Sequence, residues 1–323
     1  MLLLTPAVAA LKSVAPAMRV EVLAYDRSTA ILGYFPAIDR VWTLTGDGAA
    51  QRLADDSRDL LDTKFDAVIE LSGQAKAAEI LRDCTSSRRF RAELYGTYGH
   101  NGSVAQGCSS IASKPEWLNE HAIRRDWLVV RHALDVQDLP EPVLRFPPIA
   151  ENSPLPVKTG ERFAVFQPFS RDLDRTWRAE NWRQLAKELL GQRVFTDIVI
   201  PFGSDDEWQI AQGIADGIAG CSVPGSRLDF AAHAALVARA KACISCNTGV
   251  MHLAAAVQTP MVAVWGATPI NVWHPFCDRF VVVCQNQIIS ASSARAGTSD
   301  IQEGAIDANT VQTVFEAVVR LLG

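Results

Sequence analysis

The 323-residue chain has no run of about 18 uninterrupted apolar residues, so no transmembrane helix is expected. Charge of one sign is also missing. Thirty-one Lys and Arg stand against 36 Asp and Glu, a net charge of −5, without the basic excess of a general nucleic-acid binder. Nucleic acid is therefore not expected among the partners. Cysteine is sparse and odd in number, seven residues at 84, 108, 221, 243, 246, 277 and 284 with no regular spacing. That excludes a disulfide framework and favours reduced thiols in a cytoplasmic protein. No G-x-G-x-x-G follows a strand-like run, which sets aside an NAD-dependent dehydrogenase. No positive charge precedes the opening apolar stretch MLLLTPAVAALKSVAPA, and Lys12 interrupts it. A helix with Pro6 in its first turn fits that stretch better than a secretory signal.

What is present is ordinary for a globular protein: 48% hydrophobic and 21% charged residues. The length suggests two domains. Strand-like and helix-like runs alternate. In the first half, residues 19–24 and 65–71 read as strands, and 49–61, 74–82 and 121–134 as helices. The passage PEPVLRFPPIAENSPLP then places six prolines where neither a helix nor a central strand can continue. We place the domain boundary there, giving domains 1–150 and 151–323. In the second half, strands are expected at 163–167, 197–202, 242–246, 261–265 and 280–284. Helices are expected at 179–190, 205–218, 228–240, 248–257 and 309–322, and a surface loop at 290–304. Such alternation implies α/β architecture with parallel sheets covered on both faces, hence two Rossmann-like domains facing a cleft. Ligands of open α/β sheets bind at the carboxyl ends of the strands.

The most informative segment is CISCNTGVMHLAAAVQTPMVAVWGATP, residues 243–269. A strand ends at Cys246, Asn247-Thr248-Gly249 turns, and an Ala-rich helix begins. Asn247 suits an N-cap, and Gly249 lets a ligand approach the backbone. The free N–H groups and positive dipole end of that helix suit a phosphate or pyrophosphate. Thr248 adds a hydroxyl. His252, four residues on, shares its helix face and is within reach of a phosphate oxygen. Gly266-Ala267-Thr268 forms a second turn at the same sheet edge. Taken alone, the same residues also describe a well-capped helix with a buried histidine.

The ordered string S-C-N-T-G-V-M-H-L-A-A-A followed by T-P-M-V-A-V-W-G-A-T resembles the donor-binding segment of glycosyltransferase family nine, the ADP-heptose:lipopolysaccharide heptosyltransferases and their relatives. FAVFQPFSRDLDRTWRAENW (163–182) resembles the family's strand, hydroxyl-bearing loop and K-x-W-P-x-x-x-W signature. IVIPFGSDDE (198–207) resembles its next strand, LLLTPAVAALK its opening helix, and NEHAIRRDWL its H-A-V-x-R-N helix. The resemblance covers essentially the whole chain and is strongest over 160–270. It implies a GT-B type fold and an inverting transfer of heptose from ADP-heptose to an inner-core lipopolysaccharide-type acceptor. No metal and no cofactor beyond the donor substrate are expected.

By the same resemblance, Ser170 touches the donor diphosphate. Arg175, at a position where Lys is usual, is the catalytic cation that neutralises the leaving nucleotide. Glu207 accepts hydrogen bonds from the donor nucleoside. Asn247 (where Asp is usual), Thr248, Gly249 and His252 complete the donor site. Arg88, Arg89 and Arg91 lie in a basic cluster that would suit the acidic groups of an acceptor on the N-terminal domain, or else is a solvated face. Trp177 and Trp182 read as core, and Cys243 and Cys246 as buried structural thiols. Set against the family, Met1 stands just after a usual strand and Gly-Asp turn. The first strand and the carboxylate thought to act as general base are therefore expected roughly a dozen residues upstream. A cytoplasmic location with peripheral contact to the inner membrane follows. The rival readings are a non-catalytic nucleotide-sugar binder, a transferase for another nucleotide sugar, and an epimerase on the same architecture.

Overall fold

A computed structural model of the chain describes residues 1–46, 51–71, 75–93, 109–112, 117, 120–149, 155, 157–170, 172–297 and 304–323. They form two compact units, Met1–Val143 and Leu144–Gly323. The division falls inside the proline-rich passage.

In the N-terminal unit the chain opens on a 3-10 turn, Leu2–Leu4, and runs into α1 (Thr5–Val14) with Pro6 in the first turn. The strands are β1 (Glu21–Tyr25), β2 (Arg40–Thr45), β3 (Arg52–Leu53), β4 (Lys64–Phe65), β5 (Val68–Glu70), β6 (Thr85–Ser86), β7 (Arg89–Glu93) and β8 (Ser109–Ala112). Helices α2 (Asp26–Leu32), α3 (Ala75–Asp83) and α4 (Ala122–Leu134) lie among them. The described strands make three small sheets, β1-β2-β3, β4-β6 and β5-β7-β8. All pairings are parallel except β2 with β3. Ala7, Ala10 and Leu11 of α1 pack with Trp127 and Val130 of α4 over Val20 and Ile69.

The helix expected over 49–61 is not formed. Within it, Arg52–Leu53 pairs antiparallel with β2, and Asp55–Leu60 is a 3-10 turn. The Ser57 hydroxyl accepts the Thr43 N–H at 2.8 Å, and Leu60 is buried beside Trp42 and Leu44. Tertiary burial of Leu60 overrides the helical spacing.

The C-terminal unit holds one seven-stranded sheet. Its strands are β9 (Phe163–Gln167), β10 (Asp197–Val199), β11 (Cys221–Ser222), β12 (Ala242–Cys246), β13 (Met261–Val264), β14 (Phe280–Cys284) and β15 (Gln287–Ser290), in the order β11-β10-β9-β12-β13-β14-β15. All pairs are parallel except β14 with β15. Every residue of β9, β12, β13 and β14 is buried, as expected of parallel strands covered on both faces.

Helices α5 (Ala179–Gly191), α6 (Asp205–Ala215) and α11 (Val311–Leu322) cover one face, in a core with Phe166, Ile244 and Val264. Helices α7 (Phe230–Arg239) and α8 (Gly249–Ala256) pack together and contribute nothing to that core. Helices α9 (Ile270–Trp273) and α10 (Ala291–Ala296) follow β13 and β15. The surface loop expected over 290–304 is thus helical over Ala291–Ala296, where the Ser290 hydroxyl caps the Ser293 N–H. Trp177 and Trp182 are both buried, edge to face at 5.4 Å between ring centroids, and Trp182 packs on Phe166. Cys84, Cys243, Cys246 and Cys277 are buried free thiols, and Cys284 is buried as well. Burial pushes Cys243, Cys246 and Cys277 up to about 12 and Cys84 up to about 11.

Candidate active site

From β9 the chain runs outward through β10 to β11, then crosses back to β12 on the other side of β9. The order therefore reverses between β9 and β12, and the carboxyl ends of those strands frame the crevice where a doubly wound sheet binds its ligand. Ser170 follows β9, Glu207 follows β10, and Asn247 to His252 follow β12.

The β12–α8 turn differs from its expected form in one respect. Thr248, not Asn247, is the N-cap of α8. Asn247 is buried and donates through Nδ2 to Thr268 Oγ1 at 2.8 Å, tying the β12 turn to the β13 turn. The Thr248 hydroxyl makes no capping bond and is buried without a hydrogen-bond partner among the described residues. So is Nδ1 of His252, itself only 7% exposed. Burial pushes the His252 imidazole down to about 3, so the ring is neutral at physiological pH. A neutral imidazole still offers one N–H to an oxyanion. Gly249 is exposed at the head of the helix, and a Cβ there would meet nothing within 4 Å. The first turn of α8 thus presents free backbone N–H groups, two unpartnered polar atoms and open space.

The β9 loop carries a cation. Arg175 ends a 3-10 turn, half-buried, with Nη2 3.1 Å from Asp172 Oδ2. Ser170 Oγ accepts the Asp172 N–H at 3.4 Å. Two residues on, the Trp177 indole donates to the Asn309 carbonyl at 3.0 Å. Asn309 is buried and donates through Nδ2 to the carbonyls of Trp265 and Ile306, both at 2.9 Å. Gly266 sits at this junction. A Cβ on it would fall 2.6 Å from the Asp174 carbonyl oxygen, so only glycine lets the β13 turn lie against the Arg175 loop.

Glu207 lies at the third position of α6. The Ser204 hydroxyl caps its N–H at 3.2 Å, and its Oε2 accepts the Gly203 N–H at 2.6 Å. The carboxylate thus closes the turn after β10, in the manner of a capping box.

In the N-terminal unit, Arg88 Nη2 donates to the Ala133 carbonyl at 2.6 Å, in the last turn of α4, and its guanidinium lies over the Phe90 ring. Arg89 Nη2 donates to the Cys84 carbonyl, just past α3. Both cations meet helix C-termini, where a positive charge is favourable. Arg89 opens β7 and Arg88 immediately precedes it. The Arg91 side chain lies outside the described residues.

Two residues of this region escaped the sequence reading, and the bond from Asn247 to the expected turn residue Thr268, 21 positions away, did too. Asn309 is an ordinary loop residue until its partner, 132 positions away, is known. Gln167 ends β9 and is buried, with Oε1 unpartnered. A polar residue closing the apolar run FAVF was its only signal.

The model of the family described as Glycosyltransferase family 9 (heptosyltransferase) matches residues 56–300. Lipopolysaccharide heptosyltransferase 3 of Escherichia coli K12 is 25% identical over 295 residues, which span 87% of this chain and 83% of that one. The structure of E. coli heptosyltransferase WaaC with ADP-2-deoxy-2-fluoro heptose aligns at TM-score 0.71 and 21% identity, over 99% of this chain and 95% of its own. E. coli ADP-heptose lps heptosyltransferase II aligns at 0.73 and 18%, over 100% and 95%. These likenesses establish a GT-B type fold, and the chain belongs to glycosyltransferase family 9, the heptosyltransferases, and is a glycosyltransferase.

Proposed function

We propose that the chain transfers heptose from ADP-heptose to an inner-core lipopolysaccharide-type acceptor, inverting the anomeric centre in a single displacement. One observation carries the donor half of this reading. At the β9/β12 crevice, Thr248 Oγ1 and His252 Nδ1 are buried without partners beside the free N–H groups of the α8 N-terminus. Hydrogen-bond donors and a dipole arranged this way suit a diphosphate. A solved relative holds an ADP-heptose analogue, and curated relatives are lipopolysaccharide heptosyltransferases.

In this reading Thr248, His252 and the α8 backbone hold the diphosphate, and Ser170 adds a hydroxyl from the β9 loop. Arg175 exchanges part of its contact with Asp172 for the phosphate and stabilises charge as the nucleotide leaves. Because guanidinium is always charged, that role does not depend on pH near neutrality. Glu207 faces the nucleoside while closing the β10 turn, and Asn247 sets the uncharged floor of the site. The acceptor binds through the N-terminal unit. No helix among the described residues is long and apolar enough to cross a membrane. A peripheral position at the inner membrane would bring such an acceptor within reach.

Calorimetric titration of the full chain with ADP, UDP, GDP and ADP-heptose tests the donor. The expected result is selective ADP binding, tighter when heptose is attached. A preference for UDP or GDP would replace the donor. A folded chain that binds none of the four would overturn the reading in favour of a relative without a working donor site.

A further inference from the structure

Buried polar atoms without hydrogen-bond partners are rare in native proteins, and each calls for an explanation. Thr248 and His252 account for two on the α8 side of the crevice. A third, Gln167 Oε1, lies across from them on the neighbouring strand. Gln167 is the last residue of β9, is 6% exposed, and stands in register with Ser245 of β12, two residues before Asn247. Ser245 does not satisfy it, because its hydroxyl donates to the Cys246 carbonyl at 2.7 Å.

Strand alternation fixes the face. Ala164 and Phe166 belong to the core beneath α5, α6 and α11, so Val165 and Gln167 point to the opposite face of the sheet. The other four residues of β9 are apolar, and an aliphatic side chain would fill the position without burying an amide. The structure keeps a carboxamide there, at the carboxyl end of the strand that turns the sheet order, with nothing among the described residues to bond its oxygen.

We infer that Gln167 is a further donor-site residue whose carboxamide oxygen accepts a hydrogen bond from a hydroxyl of the glycosyl group on the nucleotide. A diphosphate carries no proton at neutral pH and cannot donate to this oxygen; it would bind only to the carboxamide turned over to present its N–H. With the oxygen as placed, the ligand supplies an uncharged donor. The transferred sugar is joined directly to the phosphate held at α8, and β12, the strand that leads into α8, is the neighbour of β9 at roughly 4.8 Å. The inference rests on the donor reading above and adds to it the residue that senses the sugar.

The test compares wild type with Gln167→Leu and Gln167→Met in the full chain. Both variants remove the acceptor and keep most of the volume. Calorimetry should show ADP-heptose binding weakened about tenfold, with ADP binding within about twofold of wild type. Melting without ligand should be unchanged or higher, because an unsatisfied buried amide has gone. Equal weakening for ADP and ADP-heptose would assign Gln167 to the nucleotide and overturn the inference. So would unchanged binding of both, or a melting point several degrees lower with both affinities reduced. A wild-type chain that binds neither ligand overturns the donor reading and this inference together, and that failure is visible before any variant is compared.

Discussion

The side-chain amide of Asn247 donates to the Thr268 hydroxyl at 2.8 Å and so joins the turns that leave two adjacent strands, β12 and β13. Both side chains are buried, and together they fix the distance between the head of α8 and the Gly266 turn. Asn247→Ala and Thr268→Val should each lower stability by about 1 kcal/mol, and the double variant by less than the sum. Denaturant melts of the four proteins measure the coupling. Asn247→Asp should keep the tie, with the hydroxyl turning to donate. It also brings a negative charge toward the diphosphate and should weaken ADP binding on the order of tenfold. Equal ADP affinity in wild type and Asn247→Asp would place Asn247 away from the phosphates.

Under the proposed function, His252 should serve affinity and not stability. Its Nδ1 bonds nothing among the described residues, so His252→Leu removes a buried polar atom while keeping most of the volume. The variant should melt no lower than wild type and bind ADP at least tenfold more weakly. Reduced melting with unchanged ADP affinity would make His252 a packing residue.

Gly266 should tolerate no side chain. Gly266→Ala places a Cβ against the Asp174 carbonyl and must displace either the β13 turn or the Arg175 loop. The expected cost is about 1–3 kcal/mol, with a greater loss of transfer rate than of ADP affinity. Gly249→Ala, with open space around its Cβ, serves as the contrast and should leave stability nearly intact. Similar melting points for the two variants would contradict the packing described.

The C-terminal unit should weaken in acid. Burial lowers His233 from 6.5 to about 4 and His274 to about 4, in the same direction as His252. The unfolded chain takes up a proton on each as pH falls through 6.5, while the folded chain resists until near 4. Stability from these groups is therefore complete above 6.5 and lost between 6.5 and 4. His233→Gln should flatten that loss by up to about 1.4 kcal/mol per pH unit. Stability curves collected from pH 8 to 4 decide the point, and parallel wild-type and variant curves would refute it.

How much of this was legible in the sequence follows from how each element is stabilised. Strands β9, β12 and β14 have the ends expected of them, because a strand buried on both faces is an unbroken apolar run. The two-residue β11 and the antiparallel β15 were missed, since their partners define them more than their composition does. In the N-terminal unit, β2 (RVWTLT) and β7 (RFRAE) mix charge with apolar residues and gave no clear period. The β12–α8 turn was legible because Thr248, Gly249 and His252 lie close together in sequence, at the head of one helix. The tie between Asn247 and Thr268, the Asn309 junction and the unpaired Gln167 were not, because each depends on a strand neighbour distant in sequence.

The buried thiols give the molecule its own reporters of opening. A thiol held near 11 or 12 and shielded from solvent reacts with an alkylating reagent only when its surroundings come apart. Cys84 lies in one unit, and Cys243, Cys246 and Cys277 in the other. The order in which they are labelled under native conditions therefore gives the order in which the two halves open. Labelling repeated with ADP present would show which half the nucleotide clamps shut.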